Sequence, residues 1–172
     1  ALADLTQGAL ALDGYNVLTT VEAALGGGVL LLGRDGALRD MASMHGSYRK
    51  VAETAAALEA IGSTLEQHAV RSCRWYLDRP VSNSGRLKRL IETTAACRGW
   101  RWTVELVFNP DTLLVQAAET AASADSAVLD RCAAWVNLAL QVVESRVPGA
   151  WIVDVSRVAR PPEVRTPPSS PA

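Results

Sequence analysis

No apolar run in this sequence approaches the roughly 20 residues needed to cross a bilayer; stretches such as 29–32 meet a charge within a few positions. A membrane role is therefore not expected. Histidine is scarce as well: His45 and His68 are the whole supply, and their separation excludes a metal site of the His-Glu-x-x-His kind. Cys73, Cys97 and Cys132 are odd in number and widely spaced, which suits buried reduced thiols rather than a disulfide frame or a zinc site, and leads us to expect a cytoplasmic protein. The first ten residues, ALADLTQGAL, carry neither a basic leader nor a continuous apolar segment and do not read as a secretory signal. Charge of one sign is lacking overall, with 17 Lys and Arg against 18 Asp and Glu.

What is present is core-forming material: 49% of the 172 residues are hydrophobic, enough for one domain to bury a substantial interior. We expect a single α/β domain over residues 1–158. Residues 159–172, which include the run RPPEVRTPPSSPA, are too rich in Pro and Ser to pack and are expected to be extended.

Periodicity divides the domain. Residues 8–13, GALALD, are small and apolar and read as a strand buried on both faces. A helix capped by Thr19 or Thr20 follows, with Val21 and Leu25 on one face and Gly26 to Gly28 as its stop, and then a second strand over 29–33. Residues 34–46 show no period and read as a long, mobile loop of the kind that lies over a site. Val51, Ala55, Leu58, Ile61 and Leu65 trace an amphipathic helix over 48–68. Residues 72–77 form a strand closed by Asp78. Leu87, Leu90, Ile91, Thr94 and Cys97 mark another helix, and 101–108 a further strand ending at Asn109-Pro110. One short strand is expected within 113–123, a core helix over 127–143 and a closing strand over 151–155. All five Trp residues are expected in the core.

Alternating strands and helices imply a mostly parallel sheet with helices on both faces, a three-layer α/β/α arrangement. In such sheets the ligand crevice lies at the C-terminal strand ends. Those ends carry Asp13, Asp78 and Asp125. Crowded carboxylates raise one another's pKa unless a cation neutralises them, and hard oxygen ligands suit Mg²⁺ or Mn²⁺. The chemistry so favoured is metal-assisted attack of water on a phosphodiester.

Each acid also has a plain structural reading. Asp125 before Ser126 can cap a helix, and Asp78 can open a turn. Asp13 is harder to explain that way, because a carboxylate ending so apolar a strand is costly to desolvate. Asp130, five positions after Asp125, points about 140° away on a helix and is a weaker ligand. The segment SNSGRLKR, 82–89, follows a strand and opens a helix, so its backbone N–H groups can receive a phosphate; Ser82 or Ser84 as an ordinary cap explains it equally. Between residues 71 and 101, eight basic residues face only Asp78 and Glu92. Such a sector suits a polyanion, or is simply a wet surface. A haloacid-dehalogenase phosphatase would need Asp where Ala11 stands, and Gly26 to Gly28 lacks the Lys and Ser or Thr of a P-loop.

The words DGYN at Asp13 to Asn16, and Ser123-Ala124-Asp125, resemble motifs of the PIN and NYN-like nucleases. LDRPVSNSGR (77–86), together with GSYRK (46–50), resembles an uncharacterised branch of that superfamily, filed as a domain of unknown function. The resemblance spans about residues 9–155. It implies a PIN-like fold and a Mg²⁺- or Mn²⁺-dependent ribonuclease, with Asp13, Asp78 and Asp125 on the metal. It further implies that Asn16 orients the first ligand, and that Arg49, Ser82, Asn83 and Arg86 touch RNA. Members of the superfamily usually supply a fourth acid, for which Asp40 and Glu53 are the candidates. The alternative is a catalytically silent module binding nucleic acid or nucleotide on the same fold; a third reading is a protein-interaction domain using the Pro-rich tail.

Overall fold

Alternation of side chains about an extended backbone explains the centre of the molecule. The computed structural model describes residues 8–41 and 52–156. In β1 (Ala9–Asp13), Leu10 and Leu12 face one way and Ala11 the other, and all three are wholly buried. The strand lies between β4 (Ser72–Asp78) and β6 (Thr120–Ala122), and β4 pairs in turn with β5 (Trp102–Val107). The four-stranded sheet β5-β4-β1-β6 is parallel throughout.

Leu10 and Leu12 join Trp75 and Leu77 of β4 in the main core. They pack under α1 (Gly14–Leu25), α2 (Thr54–Gln67), α3 (Ser84–Arg98) and α6 (Leu138–Arg146), through residues such as Leu18, Ile61, Ile91 and Val142. On the opposite face Ala11, Tyr76 and Ala121 meet Leu114 of α4 (Pro110–Gln116) and Val128 of α5 (Ser126–Leu129). Each fully buried Leu is worth about 1.5–3 kcal/mol relative to exposure, so both faces must be covered. The fold is thus α/β, a mostly parallel central sheet flanked by helices.

Several elements differ from the sequence reading. The first helix begins at Gly14, with Asp13 as its cap, not at Thr19 or Thr20; both threonines sit inside the helix and bond Asp40 instead. Gly14 allows this, because a Cβ there would meet Leu77 Cδ2 at 2.5 Å and the Tyr76 carbonyl at 2.9 Å. The period-free stretch after residue 33 is not all loop. β2 (Leu30–Leu32) turns back as β3 (Leu38–Asp40), an antiparallel hairpin, and β7 (Ile152–Asp154) pairs with β2 on its other edge. The closing strand therefore belongs to a second, three-stranded sheet, β3-β2-β7. Residues 42–46, like the start of the helix expected over 48–68, lie outside the described residues, as do the Pro-rich tail and Arg49.

Asn109-Pro110 ends β5 and also starts α4: Asn109 accepts the Thr112 N–H at 3.1 Å, and Pro110 takes the first turn, where its missing donor costs nothing. The long helix expected over 127–143 is broken into α5 and α6. Between them Ala134 and Val136 bond Ala121 as an extra rung beside β6, so those backbone groups are spent on the sheet. Trp135 is consequently 38% exposed, and Trp151 63%, which corrects the expectation that all five Trp residues are core. Trp75, Trp100 and Trp102 do pack together, with Trp100 stacked on Trp102 at 4.7 Å and Trp102 tilted against Trp75 at 5.1 Å.

Candidate functional site

From β1 the chain reaches β4 and then β5 on one side, and returns to β6 on the other side of β1. The direction of winding therefore reverses beside β1, and the crevice of an open α/β sheet forms where this happens, at the C-terminal strand edge. A cavity of about 720 Å³ lies there. Asp13, Asp40, Asp78, Asp111 and Asp125 all line it, with Asn16, Thr19, Thr20, Arg39 and Ser126 among the other walls.

Asp13 is the best-held of the acids. As the cap of α1 it accepts the Asn16 backbone N–H at 3.3 Å; the Asn16 side-chain amide and the Ser123 hydroxyl, at 2.9 Å, both donate to its Oδ2. Burial pushes its pKa up from 3.8 to about 6, and these hydrogen bonds oppose the rise without cancelling it. Ser123 also accepts the Asp125 N–H at 3.1 Å, so the Ser-x-Asp triplet links two of the acids directly. Asp125 caps α5 by accepting the Ala127 N–H at 2.7 Å while still lining the cavity; the cap and the site are compatible. Asp40 arrives from β3 and accepts from the hydroxyls of Thr19 and Thr20 at 3.0 and 3.3 Å.

Asp78 is shifted upward by burial and then by the negative charge of Asp111, and Asp111 by burial and then by Asp125. Asp111 was not singled out by the strand-end reading, because it lies inside the first turn of α4, a helix that the sequence pattern did not reveal. Asn109-Pro110-Asp111, a cap followed by Pro and an acid, was the available signal. Among the described residues, no three His, Cys, Asp or Glu side chains stand close enough to hold one ion between them as placed. The acids ring the cavity instead of converging on a point.

The cationic wall is Arg39. It forms a two-pronged ion pair with Asp35, at 2.9 and 2.5 Å, and donates to the Ala124 carbonyl at 2.8 Å and to Ser126 at 2.9 Å. Ser126 in turn donates to Asp35 at 2.8 Å. The guanidinium holds the Asp35 carboxyl far below the usual carboxylate range. The cluster fastens the β2–β3 hairpin to the loop carrying Asp125.

Ser82, Asn83 and Arg86 do not line the cavity; all three are exposed at the start of α3. Neither Ser82 nor Ser84 caps that helix. Asn83 occupies the cap position with a left-handed backbone and no side-chain cap bond, while Ser84 is buried and donates to the Arg79 carbonyl at 3.3 Å. Glu53 precedes α2, away from the cavity, and Asp130 is exposed outside it.

Residues 2–141 match the family model described as Domain of unknown function (DUF5616). The chain belongs to this family. The DUF5616 match takes in β1 to β6 and all five acids of the cavity. An uncharacterised protein of Methanocaldococcus jannaschii is 29% identical over 118 residues, 69% of this chain. The chain covers 56% of that relative's length. No solved structure matches this DUF5616 chain. No helix among its described residues is long and apolar enough to cross a membrane.

Proposed function

We propose that this protein is a divalent-cation-dependent hydrolase of phosphodiester bonds, with RNA as substrate, built on a three-layer PIN-like fold. One observation carries the reading: five aspartates line a single cavity at the switch point of a parallel sheet, and the arginine beside them is already paired with Asp35.

The donor set fits Mg²⁺ or Mn²⁺, which take carboxylate oxygens and keep several waters, so that acids spaced around a cavity can hold such an ion partly through water. Bound there, the ion would offset the mutual repulsion of the acids and polarise the scissile phosphate and its attacking water. Asp13, Asp78 and Asp125 are the proposed ligands, with Asp40 and Asp111 as further acids of the wall. Asn16 and Ser123 hold the Asp13 carboxylate in one orientation at the wall of the cavity. Asp111, whose proton affinity is raised by burial and then by the charge of Asp125, is suited to accept a proton from water as it attacks. Ser82, Asn83 and Arg86, exposed on the same side of β4, are proposed outer contacts to the substrate backbone.

The test is cleavage of a labelled single-stranded RNA with Mn²⁺ and with chelator, alongside thermal unfolding with and without Mn²⁺. Wild type is expected to cut and to melt higher with the ion. Asp13→Asn should lose more activity than the roughly 10–100-fold typical of losing a supporting outer group, and should gain less melting temperature from Mn²⁺. Because no three acids among the described residues converge as placed, the competing reading is a module that binds RNA without cutting it. Wild type that binds RNA but neither cuts it nor responds to Mn²⁺ would establish that reading instead.

A further inference from the structure

Phe108 is the sole phenylalanine of the chain, and it is 74% exposed. Its position is fixed by the sheet. The β4–β5 ladder ends with Asp78 opposite Val107, and the Arg79 N–H donates to the Val107 carbonyl at 2.7 Å, so Arg79 and Phe108 leave the two strands side by side. The Arg79 guanidinium lies 5.4 Å from the centre of the Phe108 ring. Both residues are exposed, and both adjoin the acidic cavity in sequence: Arg79 follows Asp78, and Phe108 precedes Asp111 by three positions.

A flat aromatic surface kept in water beside a cation, on strand ends that run on to Asp78 and Asp111 of the cavity, matches the two faces of an unpaired nucleotide. The base stacks on the ring and the phosphate meets the guanidinium. Bases of a duplex are already stacked inside it and cannot use such a surface. We propose that Phe108 and Arg79 form a platform that selects single-stranded nucleic acid and leads its backbone to the acidic cavity. The platform's use in catalysis rests on the hydrolase reading above; its use in binding does not.

The test uses the full chain without divalent cation and follows fluorescence anisotropy of a labelled oligouridylate of about 12 nucleotides. The comparison probes are an abasic chain of the same length and a duplex. Phe108→Ala is expected to weaken oligouridylate binding about tenfold. Phe108→Leu, apolar but unable to stack, should fall with it, whereas Phe108→Trp should bind at least as well as wild type. The abasic chain should not distinguish the variants, and Arg79→Gln should flatten the salt dependence. Circular dichroism on each variant separates lost binding from lost fold. Unchanged binding in Phe108→Ala, full affinity in Phe108→Leu, equal preference for duplex, or no binding by wild type would each overturn the platform. Cleavage with Mn²⁺ is read separately: a protein that binds through Phe108 but never cuts keeps the platform and loses the hydrolase, and one that cuts with the KM of Phe108→Ala unchanged does the reverse.

Discussion

A carboxylate that ionises inside a protein must be stabilised by groups fixed around it, and Asp13 draws on Asn16 and Ser123 for that. They do not suffice, since its pKa stays at about 6 against 3.8 for the unperturbed group. Between those values the folded chain holds a proton that the unfolded chain releases, so the contribution of Asp13 to stability falls as pH rises from about 4 to about 6. Above that, the ionised form is a deficit of about 3 kcal/mol in the absence of a cation. Asp13→Asn removes the deficit but places an amide where Asn16 already donates, so a net gain of about 1–2 kcal/mol is expected near pH 7. Urea unfolding of both proteins in chelator should show that gain at pH 7 and its disappearance near pH 4. An equal difference at both values would mean that Asp13 is not strained by burial. The strand-end rule made Asp13, Asp78 and Asp125 readable, because each follows a short apolar run. Asp111 was hidden because Asn109-Pro110 looks like a stop when it is also a start.

Whole elements were readable where one period ran unbroken. Leu87 and Ile91 of the expected stripe and its Gly99 stop correspond to α3, which ends with Gly99 at φ 71°, but Ala95 and not Cys97 continues the buried face, and Cys97, expected as a buried thiol, is exposed. The stretch over 127–143, apolar nearly all round, misled because period alone cannot tell a helix from an irregular segment whose backbone pairs with a strand. Gly62 shows a different limit: inside α2 it looks like a defect, since Gly costs a helix about 1 kcal/mol relative to Ala. A Cβ at Gly62 would fall within the ring of Trp100. That ring is held by its stack on Trp102 and by the guanidinium of Arg98 at 5.4 Å, so it cannot retreat cheaply. Gly62→Ala is therefore expected to lower stability by about 1–3 kcal/mol despite its better helix propensity. Thermal unfolding followed by tryptophan fluorescence measures this. An unchanged or higher melting temperature would show that α2 and the Trp100 corner can separate freely.

At the scale of the molecule, the layout of a parallel sheet with its ligand edge followed from alternation of elements, whereas the second sheet did not: strands over 29–33 and 151–155 were expected, but β3 is only three residues long inside a stretch without period, and β7 pairs with β2 from far away in sequence. That second sheet has a practical consequence for anyone trimming the protein. The segment shared with the family stops at residue 141, within α6, before the buried Val142 and Val143 and before β7. A piece cut there would open the groove beneath Leu30 and Leu38 and strip β2 of one neighbour, leaving unpaired backbone groups on an apolar strand, the usual template for aggregation. Ending the chain at residue 156 keeps both. The shorter piece should be recovered mainly from the insoluble fraction or show broad, weakly cooperative melting, and the longer one should melt sharply; sharp melting of both would mean that the boundary of shared sequence is also a boundary of folding. The unit expected to fold thus extends beyond the segment shared with the family, because β7 flanks the strand that carries the hairpin partner of Asp40, and Asp40 reaches the cavity.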